Sequence, residues 1–131
     1  MANLLVVVVT PEETALEQPA DFVALPLYDG EIGVAPKHSP MIGRLGYGEM
    51  RLKVGAKTEH FYIDGGFVQV RDDVVSVLTG KAVPASGIDE AAAGKDLESA
   101  RRLPANTPEL LEIRDRTVAQ ARARLRVARN G

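Results

Sequence analysis

The chain has 131 residues, of which 45% are hydrophobic and 26% are charged, a composition typical of a soluble globular protein with one domain or one domain plus a small appendage. It contains no cysteine, which excludes a disulfide scaffold, a thiolate metal site and a cysteine nucleophile, and favours a reducing compartment. The formal net charge of −2 argues against non-specific binding of nucleic acid. The sequence shows no apolar run of membrane-spanning length and no signal peptide, so we expect no direct membrane insertion.

Residues 1–88 show the pattern of short strands and tight turns. Apolar residues there run together or alternate in segments that Gly, Pro and Asp-Gly pairs interrupt. Strands are predicted over residues 4–9, 21–25, 32–35, 50–54, 61–63, 67–71 and 74–79, with turns at residues 29–30, 55–57, 64–66 and 72–73. The closely spaced Pro36 and Pro40 predict a loop. This succession indicates an antiparallel β-sandwich or flattened barrel.

Few residues in this region are suited to catalysis or metal binding. Residues 43–48 are rich in glycine, but they lack the ending of a phosphate loop and do not open a helix, so turn glycines are the better interpretation. The two histidines, His38 and His60, lack the spacing of a shared metal site, and no metal is expected. His60 is close in sequence to Asp64, which leaves a small hydrolase as a remote alternative.

Residues 89–131 are predicted to form an antiparallel hairpin of two helices. Asp89 is a favoured N-cap of the first helix, and Ile88 precedes it, placed to pack against Ala93. Thr107 and Pro108 are the N-cap and first residue of the second helix. The apolar stripes are Ala93, Leu97 and Ala100 in the first helix, and Leu110, Leu111, Val118, Ala121, Leu125 and Ala128 in the second. Because both stripes are thin and rich in alanine, the hairpin must dock on the sandwich or on a partner.

Charge is distributed unevenly along the chain. Residues 1–88 carry a net charge of −4, whereas residues 109–131 carry six arginines and three acidic residues, a net charge of +3. The arginines point in most directions around the predicted helix, which a merely solvated surface would not require. A basic arm that binds an acidic partner is therefore favoured over a helix that is only solvated.

Two long segments resemble the epsilon subunit of F-type ATP synthases. Residues 29–40 read DGEIGVAPKHSP, which is similar to the family's Gly-Glu-hydrophobic-Gly-x-x-Pro-x-His-x-Pro segment. Residues 61–70 read FYIDGGFVQV, which is similar to the family's hydrophobic-Gly-Gly hairpin, and a strand follows at residues 74–78. The order of the predicted parts also resembles the family, and the resemblance covers nearly the whole chain.

The resemblance implies a ten-stranded sandwich at residues 1–88 and a helical hairpin at residues 89–131. It implies a non-catalytic subunit of the central stalk, bound to the gamma subunit and the ring of c subunits. The loop around Glu31 would face the c-ring, and His38 with its neighbours would face gamma. The protein would then lie in a peripheral complex on the cytoplasmic face of the membrane, with the stromal face of the plastid thylakoid as an alternative.

The resemblance also implies a regulatory role for the hairpin. In this family it either lies on the sandwich or extends along gamma, where basic residues of the second helix meet the alpha and beta catalytic subunits and block ATP hydrolysis. Arg122, Arg124 and Arg126 are the candidates here. Some relatives bind ATP at an Ile/Leu-Asp-x-x-Arg-Ala motif; here Ile88 and Asp89 remain, but Ala92 replaces the arginine. No cofactor is expected, and ATP would at most be a weak regulatory ligand.

One alternative of a different class remains open. A free-standing β-sandwich adaptor could use the same arginine-rich helix to dock on another acidic partner. Co-purification with gamma would separate it from the central-stalk subunit.

Overall fold

The computed structural model describes residues 3–130, in which eight strands precede two helices. The strands are β1 (Leu4–Val9), β2 (Thr14–Ala20), β3 (Phe22–Leu27), β4 (Gly30–Val34), β5 (Met41–Val54), β6 (Lys57–Arg71), β7 (Val74–Leu78) and β8 (Ala82–Pro84). A single turn of 3₁₀ helix at Ala85–Gly87 leads to α1 (Glu90–Arg101) and α2 (Pro108–Asn130). The predicted fold class, a β-sandwich followed by two helices, is confirmed.

The strands form one sheet that folds over itself into two layers. Its order is β2-β1-β7-β6-β5-β3-β4, with β8 paired to β6. The second half of β6 pairs with β7 and the first half of β5, whereas the first half of β6 pairs with β8 and the second half of β5. We call the layer containing β1, β2 and β7 the β1 layer, and the layer containing β3, β4 and β8 the β3 layer. The pairs are antiparallel except for β1 and β7, which run parallel.

The strands β5 and β6 contain 14 and 15 residues and pass through both layers, which is why residues 3–130 hold eight strands and not about ten. Residues 43–48 and 64–66, both expected to be turns, lie inside these strands. They form a shared bend. Before it, the core-facing side chains of β6 are at the odd-numbered positions Phe61 and Ile63, and after it they are at the even-numbered positions Val68 and Val70. A Cβ atom on Gly66, whose φ is +104°, would overlap the carbonyl oxygen of Leu78, so the bend requires glycine there.

The main hydrophobic core lies between the two layers. Both layers contribute inward-facing side chains at alternate positions, as the period of a strand requires. The buried members are Leu4, Val6, Val8, Ala20, Val23, Leu25, Val34, Leu45, Met50, Leu52, Phe61, Ile63, Val68, Val70, Val75 and Val77. The edge strand β2 was not predicted because most of its side chains are exposed and it lacks an apolar pattern.

Both helices begin where the sequence predicts. Asp89 Oδ1 accepts a hydrogen bond of 3.2 Å from the Ala92 N–H, and Thr107 Oγ1 accepts one of 3.1 Å from the Leu110 N–H. These bonds satisfy N–H groups that the first turn leaves without a helical partner. The facing sides of the two helices pack together through Ala93, Leu97, Ala121 and Leu125, with Ile88 and Val118 at the margin.

The apolar surface of α2 differs from the predicted single stripe. Its second buried face consists of Ala123 and Val127, which pack against Tyr62 on the outer side of the β3 layer. Leu111, expected in the stripe, is instead 40% exposed. The helix therefore contacts α1 and the sandwich at once, and the hairpin lies docked on the β3 layer. Within residues 3–130, neither helix has the length and hydropathy needed to cross a bilayer.

Candidate functional site

Glu31 is held by an arginine on a neighbouring strand. It lies in β4 opposite Pro26, and not in a loop as expected. Its two carboxylate oxygens accept hydrogen bonds of 2.8 and 3.3 Å from Arg51, a two-point contact that fixes the orientation of both groups. The hydrogen bonds from Arg51 to Glu31, and then to Glu49, raise the pKa of Arg51. Glu31 is thus an exposed but oriented carboxylate.

The same network extends to His60. Glu49 accepts a hydrogen bond of 3.2 Å from Arg51, and its other oxygen lies 3.2 Å from His60 Nδ1. The partner of His60 is therefore Glu49, whereas Asp64 binds other groups. This geometry removes the basis for the remote hydrolase alternative, which required His60 and Asp64 to act together.

His38 lies in the loop between β4 and β5. Its Nδ1 is 2.7 Å from the carbonyl oxygen of the adjacent Ser39, a local and exposed contact. The neighbouring Lys37 has a positive φ of 66°, and its N–H donates a 2.6 Å hydrogen bond to Asp73 Oδ1 in the turn between β6 and β7. This bond attaches the loop to the β1 layer.

An apolar patch lies on the outer side of the β1 layer. Phe67 on β6 is paired with Leu78 on β7, and Ile42 lies on the adjoining part of β5. Their side chains are 58%, 54% and 76% exposed, respectively. We call these three residues the outer apolar patch. The strand pattern did not reveal this patch, because Gly43 beside Ile42 and Gly66 beside Phe67 interrupt the alternation on which face assignment depends.

The three arginines proposed to contact a partner lie in different surroundings. Arg122 is exposed, and Arg126 lines a cleft of about 300 Å³ between the end of α2 and the β3 layer. Arg124 is half-buried, with its guanidinium 5.7 Å from the ring centroid of Tyr62 and 3.9 Å from a carboxylate oxygen of Asp96. The docked hairpin therefore covers one member of the set.

A polar cluster beneath α2 was missed by sequence reasoning. The Tyr62 hydroxyl donates a 2.6 Å hydrogen bond to Asp64 Oδ1, and Gln120 Nε2 donates a 3.1 Å hydrogen bond to the same oxygen. Tyr62 is fully buried, and burial, followed by the bond to Asp64, raises the pKa of its hydroxyl. We call Tyr62, Asp64 and Gln120 the Asp64 cluster. Tyr62 and Asp64 stand out in the sequence as polar groups within an apolar strand. Gln120 does not, because a glutamine is ordinary in a helix that is rich in polar residues.

The remnant of the nucleotide motif has structural contacts. Ile88 packs against both small apolar clusters that hold the helices, and the carboxylate of Asp89 caps α1. In the first turn of α1, Glu90 Oε1 accepts a 3.0 Å hydrogen bond from Arg129 of α2. Ile88 and Asp89 therefore both have structural contacts within the chain, in packing and in helix capping, that do not involve a nucleotide.

Comparisons with known proteins agree on one family. Residues 3–85 match the family model described as ATP synthase, Delta/Epsilon chain, beta-sandwich domain. The chain is 53% identical over 123 residues to the ATP synthase epsilon chain of Rhodopirellula baltica, covering 94% of this chain and 96% of that protein. It is 35% identical over 125 residues to the epsilon chain of Nitratidesulfovibrio vulgaris strain DP4, covering 94% and 93%.

Two solved structures have a similar fold. One is a chain of the Euglena gracilis mitochondrial ATP synthase, in a structure of its OSCP, F1 and c-ring, with a TM-score of 0.75 and 26% identity over 98% of this chain and 79% of that one. The other is a chain of the central stalk and c-ring of the Tetrahymena thermophila mitochondrial ATP synthase, with a TM-score of 0.65 and 14% identity over 96% of each chain. At that identity the second likeness concerns the fold alone.

Proposed function

Because this chain belongs to the epsilon-chain family of ATP synthases, we propose that it is a non-catalytic subunit of the central stalk of an F-type enzyme. It joins the gamma subunit to the c-ring and restrains ATP hydrolysis through its C-terminal helices. Residues 1–88 bind the stalk and the ring, and residues 89–131 regulate. The protein is held peripherally on the cytoplasmic face of the membrane by these partners.

The observation that carries the proposal is the outer apolar patch. Large apolar side chains that are exposed side by side mark contact surfaces in soluble proteins. The patch lies on the β1 layer and the buried face of α2 packs on the β3 layer, and all three patch side chains stay exposed while the hairpin is docked. The loop that carries His38 leads directly into the strand that carries Ile42. We assign this combined surface to gamma.

The c-ring contact is assigned to Glu31. Arg51 orients its carboxylate before any partner arrives, and a contact group that is already ordered loses little conformational entropy on binding. This arrangement supports a specific polar contact at the β3–β4 end of the sandwich, separate from the gamma surface.

Nucleotide has at most a minor role in this proposal. The Asp89 carboxylate caps α1, and Ala92 offers no cation to a phosphate. We expect titration calorimetry of the isolated chain at millimolar ATP to show weak binding or none. A micromolar dissociation constant would contradict this expectation and direct attention to the arginines of α2.

A pull-down of the affinity-tagged chain from cells that express the whole enzyme tests the proposed function. Gamma and the c subunit should be recovered, as identified by mass spectrometry. The double substitution Ile42→Ser and Phe67→Ser should weaken gamma recovery roughly tenfold or more, because buried aromatic anchors carry much of an interface's binding energy. Ile113→Ser, which changes an exposed apolar residue of α2, is the matched control. Recovery of other acidic partners without gamma would overturn the proposal in favour of an adaptor.

A further inference from the structure

Few apolar side chains hold α2 on the sandwich. The helix contributes Ala123 and Val127, and the sandwich contributes Tyr62 with the partly buried Val83 and Ala85. The two side chains that α2 contributes are small, so the apolar contact depends mainly on the Tyr62 ring and gives the helix few anchors of its own. Polar contacts across the same surface therefore have a large influence on whether the helix stays docked.

Within residues 3–130, one side-chain hydrogen bond joins α2 to the sandwich. Gln120 on α2 donates to Asp64 Oδ1, which also accepts from the Tyr62 hydroxyl. A carboxylate accepts hydrogen bonds more strongly than a neutral oxygen does. Because Tyr62 is fully buried beneath α2, the bonds lie in a partly dehydrated setting in which they are strengthened.

Asp64 is fixed independently of the helix. Its backbone N–H lies 3.1 Å from Thr79 Oγ1 and 3.2 Å from the Lys81 carbonyl oxygen, and Thr79 is itself buried. The next two residues form the glycine bend of β6. The carboxylate is therefore presented by a rigid part of the sandwich, and Tyr62 further restricts its orientation.

We infer that the Asp64 cluster is the latch that determines how firmly α2 is held on the sandwich. Asp64 is the acceptor, Tyr62 is a positioning residue for it, and Gln120 is the donor on the moving element. Because Arg124 is covered by the same contact, the latch also sets the fraction of molecules in which Arg124 is available to a partner. That consequence rests on the proposed function, whereas the latch itself is a property of the isolated chain.

The absence of cysteine permits a sensitive test. A single Ala123→Cys substitution places a thiol at the buried face of α2, where it reacts with a small disulfide reagent only when the helix has left the sandwich. The labelling rate then reports the undocked fraction. A Val75→Cys chain places the thiol in the main core and reports global unfolding.

Gln120→Glu, which puts two carboxylates in contact, should speed labelling at position 123 by roughly tenfold or more, with the labelling rate of the core thiol unchanged. Gln120→Leu should give a smaller increase. In the double variant with Asp64→Asn and Gln120→Glu, the hydrogen bond is reversed, because position 64 now donates and position 120 accepts. Its labelling rate at position 123 should return most of the way to that of the parent. Ala119→Glu adds the same charge at an exposed neighbouring position and should have no effect.

The inference is overturned if Gln120→Glu leaves the labelling rate at position 123 unchanged, or if Asp64→Asn fails to reverse its effect. Equal acceleration at positions 123 and 75 would also overturn it, since the change would then act on global stability. None of these outcomes depends on partners. A chain that passes this test but does not recover gamma would refute the proposed function and leave the latch intact.

Discussion

Glu31 and His38 are both exposed enough to be changed without loss of the core. The pair of Glu31 with Arg51 lies at the surface, where such pairs contribute about 0–1 kcal/mol to stability. The hydrogen bond of His38 to Ser39 is local and exposed. Substitution of either residue should therefore weaken binding to the partner subunits and leave the free energy of unfolding nearly unchanged.

We expect Glu31→Gln to reduce recovery of the c-ring, and His38→Ala to reduce recovery of gamma. Both should change the free energy of unfolding by less than about 1 kcal/mol, as measured by urea denaturation of the isolated chain. Glu12→Gln, at an exposed position in the β1–β2 turn, serves as the charge-matched control. Normal assembly by both variants would refute the assignment of these two contact residues.

The arginines of α2 should separate into two types. Arg122→Ala removes an exposed charge and should raise ATP hydrolysis by the assembled enzyme without affecting the isolated chain. Arg124→Ala should raise hydrolysis and also destabilise the docked hairpin, by roughly 0.5–1 kcal/mol, because its contact with the Tyr62 ring is lost. Hydrolysis assays together with thermal denaturation measure both effects. Identical behaviour of the two variants in both assays would contradict the observed difference in their surroundings.

Local signals at single residues were the most predictable part of the chain. Asp89 and Thr107 are small polar residues directly before helical segments, and their capping depends only on nearby backbone groups. Tyr62 was not predicted as a contact residue because its burial depends on α2, which follows it by about fifty residues in sequence. Nearest-neighbour patterns contain no information about such a contact.

At the scale of elements, the shared bend of β5 and β6 depends on glycine. Gly66→Ala should destabilise the chain by about 3 kcal/mol or more, because the added Cβ overlaps the Leu78 carbonyl and the φ of +104° is strained for alanine. Urea denaturation followed by circular dichroism measures this change.

Gly94→Ala in α1 is the matched control for that substitution. A Cβ there meets open space, and alanine is favoured over glycine in a helix by about 1 kcal/mol. The control should therefore be stabilised. Equal stability of the Gly66→Ala chain and the parent would show that the bend tolerates other residues.

The helical hairpin should be removable as a unit. We expect deletion of residues 89–131 to raise ATP hydrolysis while assembly with gamma survives, because the three side chains of the outer apolar patch belong to the sandwich strands β5, β6 and β7. Added salt should weaken the restraint exerted by the intact chain, since its arginines act through charge. If truncated and intact enzymes hydrolyse ATP equally across nucleotide and salt conditions, the hairpin has only a structural role.

Element lengths were predicted less well than element types. The glycines in residues 43–48 and 64–66 have the composition of turns, yet the chain continues in the same direction through both segments. Glycines that lie close together on adjacent strands can permit either a reversal or a bend of the chain, and only the pairing of β5 with β6 along its full length decides between the two. The stripe of α2 was misjudged for a related reason, since a helix that packs on two elements has two buried faces.

At the scale of the whole molecule, the two layers of the sandwich carry different surfaces. The β3 layer holds the basic hairpin, and the β1 layer presents the outer apolar patch. The order of parts and the family were predictable from two long motifs, whereas the location of each surface required the folded sheet. The sequence alone also gave no indication that Arg124 would be covered while Arg122 remains exposed.

The parallel pairing of β1 with β7 has a consequence for the order of folding during synthesis. Leu5 pairs with Val74, so the first strand lacks one of its two neighbours until nearly the whole sandwich has left the ribosome. Pairings of such high contact order fold slowly, on the order of milliseconds to seconds. Until then the β-branched segment Leu4–Val9 presents an unpaired edge of the kind that aggregates. The interval between translation of β1 and of β7 is therefore the stage at which the nascent chain most needs protection by a chaperone.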